Sequence, residues 1–336
     1  MNELRVSRGL SGPRHRRTPP ESPDRLRAVR RALKDHHGVD YVAADDVDLD
    51  LVRAVHDDDY VEEFRKYCAD GGGNWDADTV AVEATWDAAL ASAGVAVWAA
   101  ETAAPDVQHR ETPFALGRPP GHHAVGDDAM GFCFINNAGV AAQAALEDDA
   151  DRVAIFDWDV HHGNGTQDIF YDREDVFYAS IHEDGLFPGT GAIQETGAAD
   201  ADGTNLNVKY QPGADTVDYL AAIDEVISPA IADYDPDLLL ISAGFDAHER
   251  DPISRMQVST EGYGVMTNRM RDLADDCEAG LGFVLEGGYG LDTLSDSIAM
   301  VHEVFDGYQP IPPEGDISDD ARDILDTVAD QGFGSK

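Results

Sequence analysis

The chain is expected to fold as one α/β domain, with a central parallel sheet and helices on both faces. Three observations point there. Strand-sized runs such as "RVAIF" (152–156), "VFYASIH" (176–182), "LLLIS" (238–242) and "GFVLE" (282–286) are nearly continuous in apolar residues, as strands buried on both faces are. Helical patterns separate these runs. No internal repeat or long linker divides the 336 residues, a length that α/β folds often reach as one unit.

In chain order, "SPDRLRAVRRAL" (22–33) reads as a helix, with Ser22 as N-cap and Pro23 at the first helical position. "DDDYVEEFRKYCA" (57–69) reads as a second helix, and "GGGN" (71–74) as a flexible loop. "DTVAVEATWDAALASAGVAVWAAE" (78–101) is apolar on more than one side, which predicts a long buried helix. "FALG" (114–117) is strand-like and leads into the loop "RPPGHHAVGDDAMGFC" (118–133). "NNAGVAAQAAL" (136–146) is a helix of small residues suited to close packing on a sheet. Then come the strand "RVAIFDWD" (152–159), the turn and short helix "NGTQDIFY" (164–171), the strand at 176–182 and the Gly-rich loop 183–197. A helix at 216–234, the strand "PDLLLISAGFD" (236–246), a helix at 260–277, the strand and tight turn "GFVLEGGYG" (282–290) and a last strong helix at 293–305 complete the pattern.

Composition narrows the function. Asp and Glu total 66 against 24 Lys and Arg, a net charge of −42. The acids run through periodic segments and do not form a tail, which suggests an acidic surface adapted to high salt, where self-repulsion is screened. No basic patch lies outside the N-terminus, so direct nucleic-acid binding is not expected. No apolar run is long enough to cross a membrane. The three cysteines, Cys68, Cys133 and Cys277, are far apart and lack zinc-finger spacing, which fits a cytoplasmic, disulfide-free protein. Residues 1–20 carry five Arg and lack the apolar core of a secretory signal; they read either as a flexible basic arm or as an aberrant start, ahead of a domain at 21–336.

Polar residues gather where the predicted strands end. "GHH" follows "FALGRPP", "DWDVHH" follows "VAIF", "GFDAH" follows "LLLISA", and "GGY" follows "FVLE". Ligand sites of such sheets lie beyond the carboxyl ends of the strands. Buried polar groups there cost free energy unless satisfied, and one metal ion would satisfy several. Asp157, Asp159 and His161 have i, i+2, i+4 spacing and point one way from an extended strand. Two of them with Asp246, at the end of another strand, would make a three-ligand site with open positions, the catalytic arrangement.

Five ordered motifs, "PPESPDRL", "RPPGHHA" with "GFCFINN", "DWDVHHGNGTQ", "SAGFDAH" and "LEGGY", resemble the histone deacetylase family over about residues 20 to 305. That family also includes acetylpolyamine amidohydrolases and acetoin-utilisation proteins. The resemblance implies an arginase/deacetylase-like fold and metal-dependent hydrolysis of an N-acetyl amide. By resemblance, Asp159, His161 and Asp246 bind the catalytic ion, Zn²⁺ with Fe²⁺ as the alternative. Asp157 orients His122 and, with carbonyls of Asp157, Asp159, His161 and Ile181 and the Ser180 hydroxyl, holds a structural K⁺. His123 is the general base and acid, His122 its electrostatic partner, Asn164 the neutral partner of His123, and Tyr289 the donor to the oxyanion. Phe132 and Phe187 wall a channel, and the Gly131 carbonyl accepts the substrate N–H. Ile253 stands where polyamine-specific relatives can carry an acid, which favours acyl-lysine. One acid of "DAD" (76–78) supplies the rim. His162 is read as structural support and Cys133 as a packed thiol lining the site.

Asn164 and the segment after "GFDAH" lean towards class II and prokaryotic members, and the N-terminus lacks the family's usual first strand. The expected partners are an acetylated lysine protein or peptide, or an acetylated polyamine; self-association is compatible with the sequence. Two other readings are an arginase-like two-metal ureohydrolase, disfavoured by Asn164 and the single acid of "GFD", and a non-catalytic acetyl-ligand binder, disfavoured because every ligand and Tyr289 are present.

Overall fold

The apolar runs become the inner strands of a six-stranded parallel sheet. The structure, a computed structural model, describes residues 20–103 and 112–334. Helices α1 (Asp24–Ala32), α2 (Leu49–Val55) and α3 (Asp58–Ala69) lead into a two-stranded antiparallel hairpin, β1 (Gly72–Asn74) and β2 (Val80–Val82). Helix α4 (Thr85–Thr102), strand β3 (Phe114–Ala115), helix α5 (Asn137–Glu147), strand β4 (Val153–Asp157), helix α6 (Asn164–Phe170) and strand β5 (Val176–Glu183) follow. Then come β6 (Asn205–Tyr210), α7 (Thr216–Ala222), α8 (Ser228–Tyr234), β7 (Leu238–Ala243), α9 (Thr260–Asp276), β8 (Gly280–Leu285), α10 (Leu291–Phe305) and α11 (Asp319–Ala329). The sheet order is β3-β8-β7-β4-β5-β6, every pairing parallel.

Alternate side chains of the inner strands serve opposite layers. Val153, Ile155, Leu238 and Leu240 pack with the alanines of α4 and α5. Ala154, Phe156, Leu239 and Ile241 pack with α1, α9, α10 and α11. A third apolar cluster, with Tyr60, Phe64 and Phe134 buried and Trp75 and Trp86 packed against them, joins α2, α3 and the hairpin to the start of α5. No helix among the described residues is long and apolar enough to cross a membrane.

Several local expectations are corrected. Helix α1 begins at Asp24 without a side-chain cap; the Ser22 carbonyl, not its hydroxyl, accepts the Arg25 N–H at 3.1 Å. "GGGN" is not a free loop, because Gly72–Asn74 pair with Val80–Val82. The long helix expected from residue 78 therefore begins at Thr85. The helix expected over 216–234 passes through a π-helical turn at Ile223–Ile227, just before Pro229, which has no N–H to donate. Strand β6, helix α2 and helix α11 lie beyond what the sequence reading identified. Among the described residues no strand precedes α1, and most of the basic arm lies outside them.

One buried histidine pins this frame to the loop that carries "GHH". His56 Nε2 accepts the Asn136 N–H at 2.9 Å, so Nδ1 carries the proton donated to the Val125 carbonyl at 2.8 Å. Asn136 in turn caps α5 through Oδ1, which accepts from Gly139. Burial, outweighing the backbone carbonyls of Val125 and Gly126 and the charge of Asp57, lowers the His56 pKa to about 4. A depressed folded-state value means stability present above the ordinary 6.5 and lost as pH falls through 6.5 towards 4. The difference corresponds to about 3 kcal/mol. His56→Gln is therefore expected to be less stable at neutral pH, yet to lose about 3 kcal/mol less than the parent between pH 6.5 and 4. Denaturant titrations across that range in high KCl provide the check.

Candidate active site

The carboxyl ends of β4, β7 and β8 meet at one cleft, and the loop after β3 closes over it. Strand β4 stops at Asp157, but the side-chain alternation continues past it: Trp158 and Val160 enter the core. Asp157 and Asp159 are fully buried at the cleft. Asp246 follows β7 and is equally buried. Asp159, His161 and Asp246 each offer a ligand atom, all within 4.8 Å of one another. His161 Nδ1 lies 3.0 Å from Asp159 Oδ1 and 3.3 Å from Asp246 Oδ2. Two ligand atoms bound to one small cation at about 2.0–2.2 Å are spaced this way.

Three further observations fit a cation there. Asp246 Oδ2 is buried without a hydrogen-bond partner, the His161 contact being an ion-pair distance only, whereas Asp246 Oδ1 accepts from Val160 N at 2.9 Å. Asp159 is anchored by His161 N at 2.9 Å and Gly287 N at 2.7 Å. A Cβ on Gly287 would strike both Asp246 Oδ2 and Asp159 Oδ2, so only glycine lets the backbone reach these carboxylates. Burial, then the Asp159 charge, raises the Asp246 pKa. Burial opposes a charge on His161, but the adjacent Asp159 and Asp246 carboxylates outweigh it and hold its pKa well above 6.5. The groups share too little positive charge among themselves.

His122 and His123 lie beside this group, their ring centroids 4.0 Å apart. His122 Nδ1 is 3.0 Å from Asp157 Oδ2. Burial disfavours its charge, yet Asp159 and Asp157 raise its pKa to about 10. His123 Nδ1 meets Asn164 Oδ1 at 2.9 Å, while Asn164 Nδ2 reaches the His123 carbonyl at 3.4 Å. Burial, then the charges of His122 and His161, keep the His123 pKa well below 6.5. Neutral His123 thus donates through Nδ1 and leaves Nε2 as an acceptor.

The predicted channel residues surround these rings. Phe187 stands perpendicular to His123 at 5.0 Å and is 42% exposed, so it lies at the mouth. Phe132 meets Tyr289 edge-on at 5.9 Å and adopts φ 70°, a left-handed conformation rare for an aromatic residue. Its N–H is held by Thr79 Oγ1 at 3.2 Å. A Cβ on Gly131 would meet the rings of His123 and Phe187. Ile253 is half-buried, its N–H bonded to Asp251. Asp76 accepts from Asp78 N, Thr79 N and Thr79 Oγ1 and shapes the hairpin loop, which leaves Asp78 the less committed acid. Ser180 faces Asp157 across the β4–β5 register, with Ile181 next to it. His162 is held by Thr190 at 2.7 Å and Gln167 at 3.0 Å, away from the acidic group.

Three residues absent from the sequence reading bind the motifs together. Glu286, in "LEGGY", is buried and accepts from Gly121 N at 2.7 Å and His122 N at 3.1 Å; burial raises its pKa to about 7. Asp251 accepts from Tyr289 N at 2.8 Å and Gly290 N at 3.0 Å and so fixes the tyrosine turn. Arg25, fully buried in α1, donates to the Gly288 carbonyl at 2.7 Å and to the Glu286 carbonyl, and its guanidinium lies 5.1 Å from the Tyr289 ring centroid. Arg25 is one of four arginines in α1 and the two acids stand in a very acidic chain, so none of the three carried a signal in the sequence. Arg25→Met is expected to cost about 3–5 kcal/mol, because it strands the Gly288 and Glu286 carbonyls without their donor and leaves Arg118 as the remaining partner of Glu21. The guanidinium chloride midpoint measures this.

Comparison with known proteins agrees with this geometry. A family profile described as "Histone deacetylase domain" matches residues 19–305. The histone deacetylase-like amidohydrolase of Pseudomonas aeruginosa is 40% identical over 245 residues, covering 72% of this chain and 64% of that protein. A probable deacetylase of Methanothermobacter thermautotrophicus is 36% identical over 296 residues, covering 86% of this chain and 87% of its own. The crystal structure of the HDA15 HD domain superposes with a TM-score of 0.87 at 34% identity, covering 96% of this chain and 90% of that one. The six-stranded sheet is thus the arginase-like α/β sheet of the deacetylases, and the chain belongs to the histone deacetylase family.

Proposed function

We propose that the protein is a metal-dependent deacylase that removes an acetyl group from the side-chain amine of lysine in proteins or peptides. The observation that carries this reading is the cleft itself: a carboxylate–imidazole–carboxylate group beside a neutral histidine with a free ring nitrogen, under two aromatic walls. Asp159, His161 and Asp246 would hold Zn²⁺ or Fe²⁺, and such an ion polarises a carbonyl and acidifies water.

The chain's own groups do the rest. His123 Nε2 takes the proton from the attacking water, because Asn164 keeps the other nitrogen protonated. The same nitrogen returns the proton to the departing amine. His122, paired with Asp157, supplies positive charge near the forming oxyanion. Tyr289 donates a hydrogen bond to that oxyanion, its backbone held by Asp251. Phe132 and Phe187 enclose the lysine methylenes, and the Gly131 carbonyl orients the amide N–H. Ile253 offers a polyamine no counter-charge. A structural K⁺ would take the carbonyls of Asp157, Asp159, His161 and Ile181 with the Ser180 hydroxyl, all at the ends of neighbouring strands. The acid excess suits work at high salt in a cytoplasm.

Metal-loaded protein in high KCl should release acetate from acetyl-lysine peptides faster than from free acetyl-lysine or acetylpolyamines. Tyr289→Phe should lower kcat by about 100- to 1000-fold. Preference for acetylpolyamines would replace lysine with a polyamine substrate. No acetate from any of the three, with Asp246→Ala indistinguishable from the parent in ligand binding, would end the hydrolase reading.

A further inference from the structure

We infer that His122, Cys133 and Glu286 form a second cation site, which takes a thiophilic divalent ion such as Cd²⁺ or excess Zn²⁺ and blocks turnover. The block rests on the reaction proposed above; the binding itself does not.

The three residues come from the loop after β3, the approach to α5 and the end of β8. Each offers a ligand atom within 4.8 Å of the other two. They are 3%, 0% and 0% exposed, so a bound ion would be shielded from water. None belongs to the Asp159–His161–Asp246 group. The donors are nitrogen, sulfur and oxygen, a mixture that favours zinc and its heavier congener over magnesium or calcium.

Each residue keeps an atom that the fold does not strongly engage. Glu286 Oε2 accepts the Gly121 and His122 N–H groups, but Oε1 has only Ser242 Oγ at 3.5 Å. Cys133 Sγ donates to the Gly131 carbonyl at 3.4 Å and accepts from the His123 N–H, with no charged partner bonded to it. His122 engages Asp157 through Nδ1; its Nε2 has only Asp159 Oδ1, at 3.8 Å. Metal–ligand bonds of about 2.0–2.3 Å put ligand atoms under roughly 4 Å apart, so adjustments of about 1 Å complete the site.

Charge favours the ion. Glu286 belongs to the site, and Asp159 lies beside it, 3.8 Å from His122 Nε2; both are buried. Burial and the nearby Glu286 push the Cys133 thiol well above its ordinary pKa, so it keeps its proton until a cation supplies the missing charge. Binding forms sulfur–metal and nitrogen–metal bonds, and releases the Cys133 thiol proton and any His122 Nε2 proton to solvent. His122 is then no longer free to support the oxyanion.

The test titrates Cd²⁺ into protein already carrying one equivalent of Zn²⁺, in potassium sulfate to avoid competing chloride. The ultraviolet sulfur-to-cadmium charge-transfer band is expected to saturate at one Cd²⁺ per chain. It should be absent from Cys133→Ser and Cys133→Ala. Acetate release should fall by about 100-fold or more in the parent and persist in both variants. No band in the parent overturns the site, as does a band that survives in both variants, where it would come from Cys68 or Cys277. Undiminished inhibition of the variants also overturns it. The absorption readout decides even if no acetylated substrate is turned over, which keeps this inference separable from the proposed reaction.

Discussion

The structure depends on negative charge buried at the carboxyl ends of two adjacent strands. Asp157, Asp159 and Asp246 are fully buried, with Glu286 beside them at the end of a third. Ions of one sign held this close repel strongly in a medium less polar than water. The fold answers with backbone N–H groups from Val160, Gly121 and Gly287, and with the imidazoles of His122 and His161. Asp246 Oδ2 still lacks a partner. A cation between Asp159 and Asp246 would complete the set, and the glycine at 287 makes room for the carboxylates that would hold it.

The same need explains why motifs far apart in the chain behave as one unit. Glu286 ties "LEGGY" to "GHH" through two backbone bonds. Arg25 ties the first helix to the carbonyls of Glu286 and Gly288, and Asp251 ties the "GFDAH" loop to the tyrosine turn. His56 ties the "GHH" loop to the cap of α5. Cooperative networks of this kind hold side chains in fixed positions. Small residues in α5 and α4 let the helices lie close against the sheet beneath.

Much of this was legible in the sequence. Continuous apolar runs marked β4, β5, β7 and β8 because burial on both faces removes polar alternation. The D-x-D-x-H spacing and Asp246 were legible as one group because strand ends converge in a parallel sheet. Strand β6 departs from that pattern: "NLNVKY" alternates polar and apolar residues, the period-two signature of a strand, but lacks the continuous apolar run that marks its neighbours. The β1–β2 hairpin hid because Gly72 and Gly73 read as loop and "TVAV" ran into helix formers. Helix α11 lies beyond the motifs, where a run of acids masked Ala321, Leu325 and Val328, the stripe that packs on the sheet. Arg25, Asp251 and Glu286 were illegible for a different reason: their role is to hold backbone atoms of distant segments, and only the folded chain brings those together.

Asp159, His161 and Asp246 should hold one divalent ion, which the buried charge requires. Elemental analysis of dialysed protein, combined with thermal melting before and after chelation, tests it most directly. One Zn²⁺ or Fe²⁺ per chain is expected, with a melting temperature that falls when the ion is removed, and with loss of both the ion and the chelator effect in Asp246→Ala. A metal content near zero after zinc loading, or a melting temperature indifferent to chelation, would contradict it.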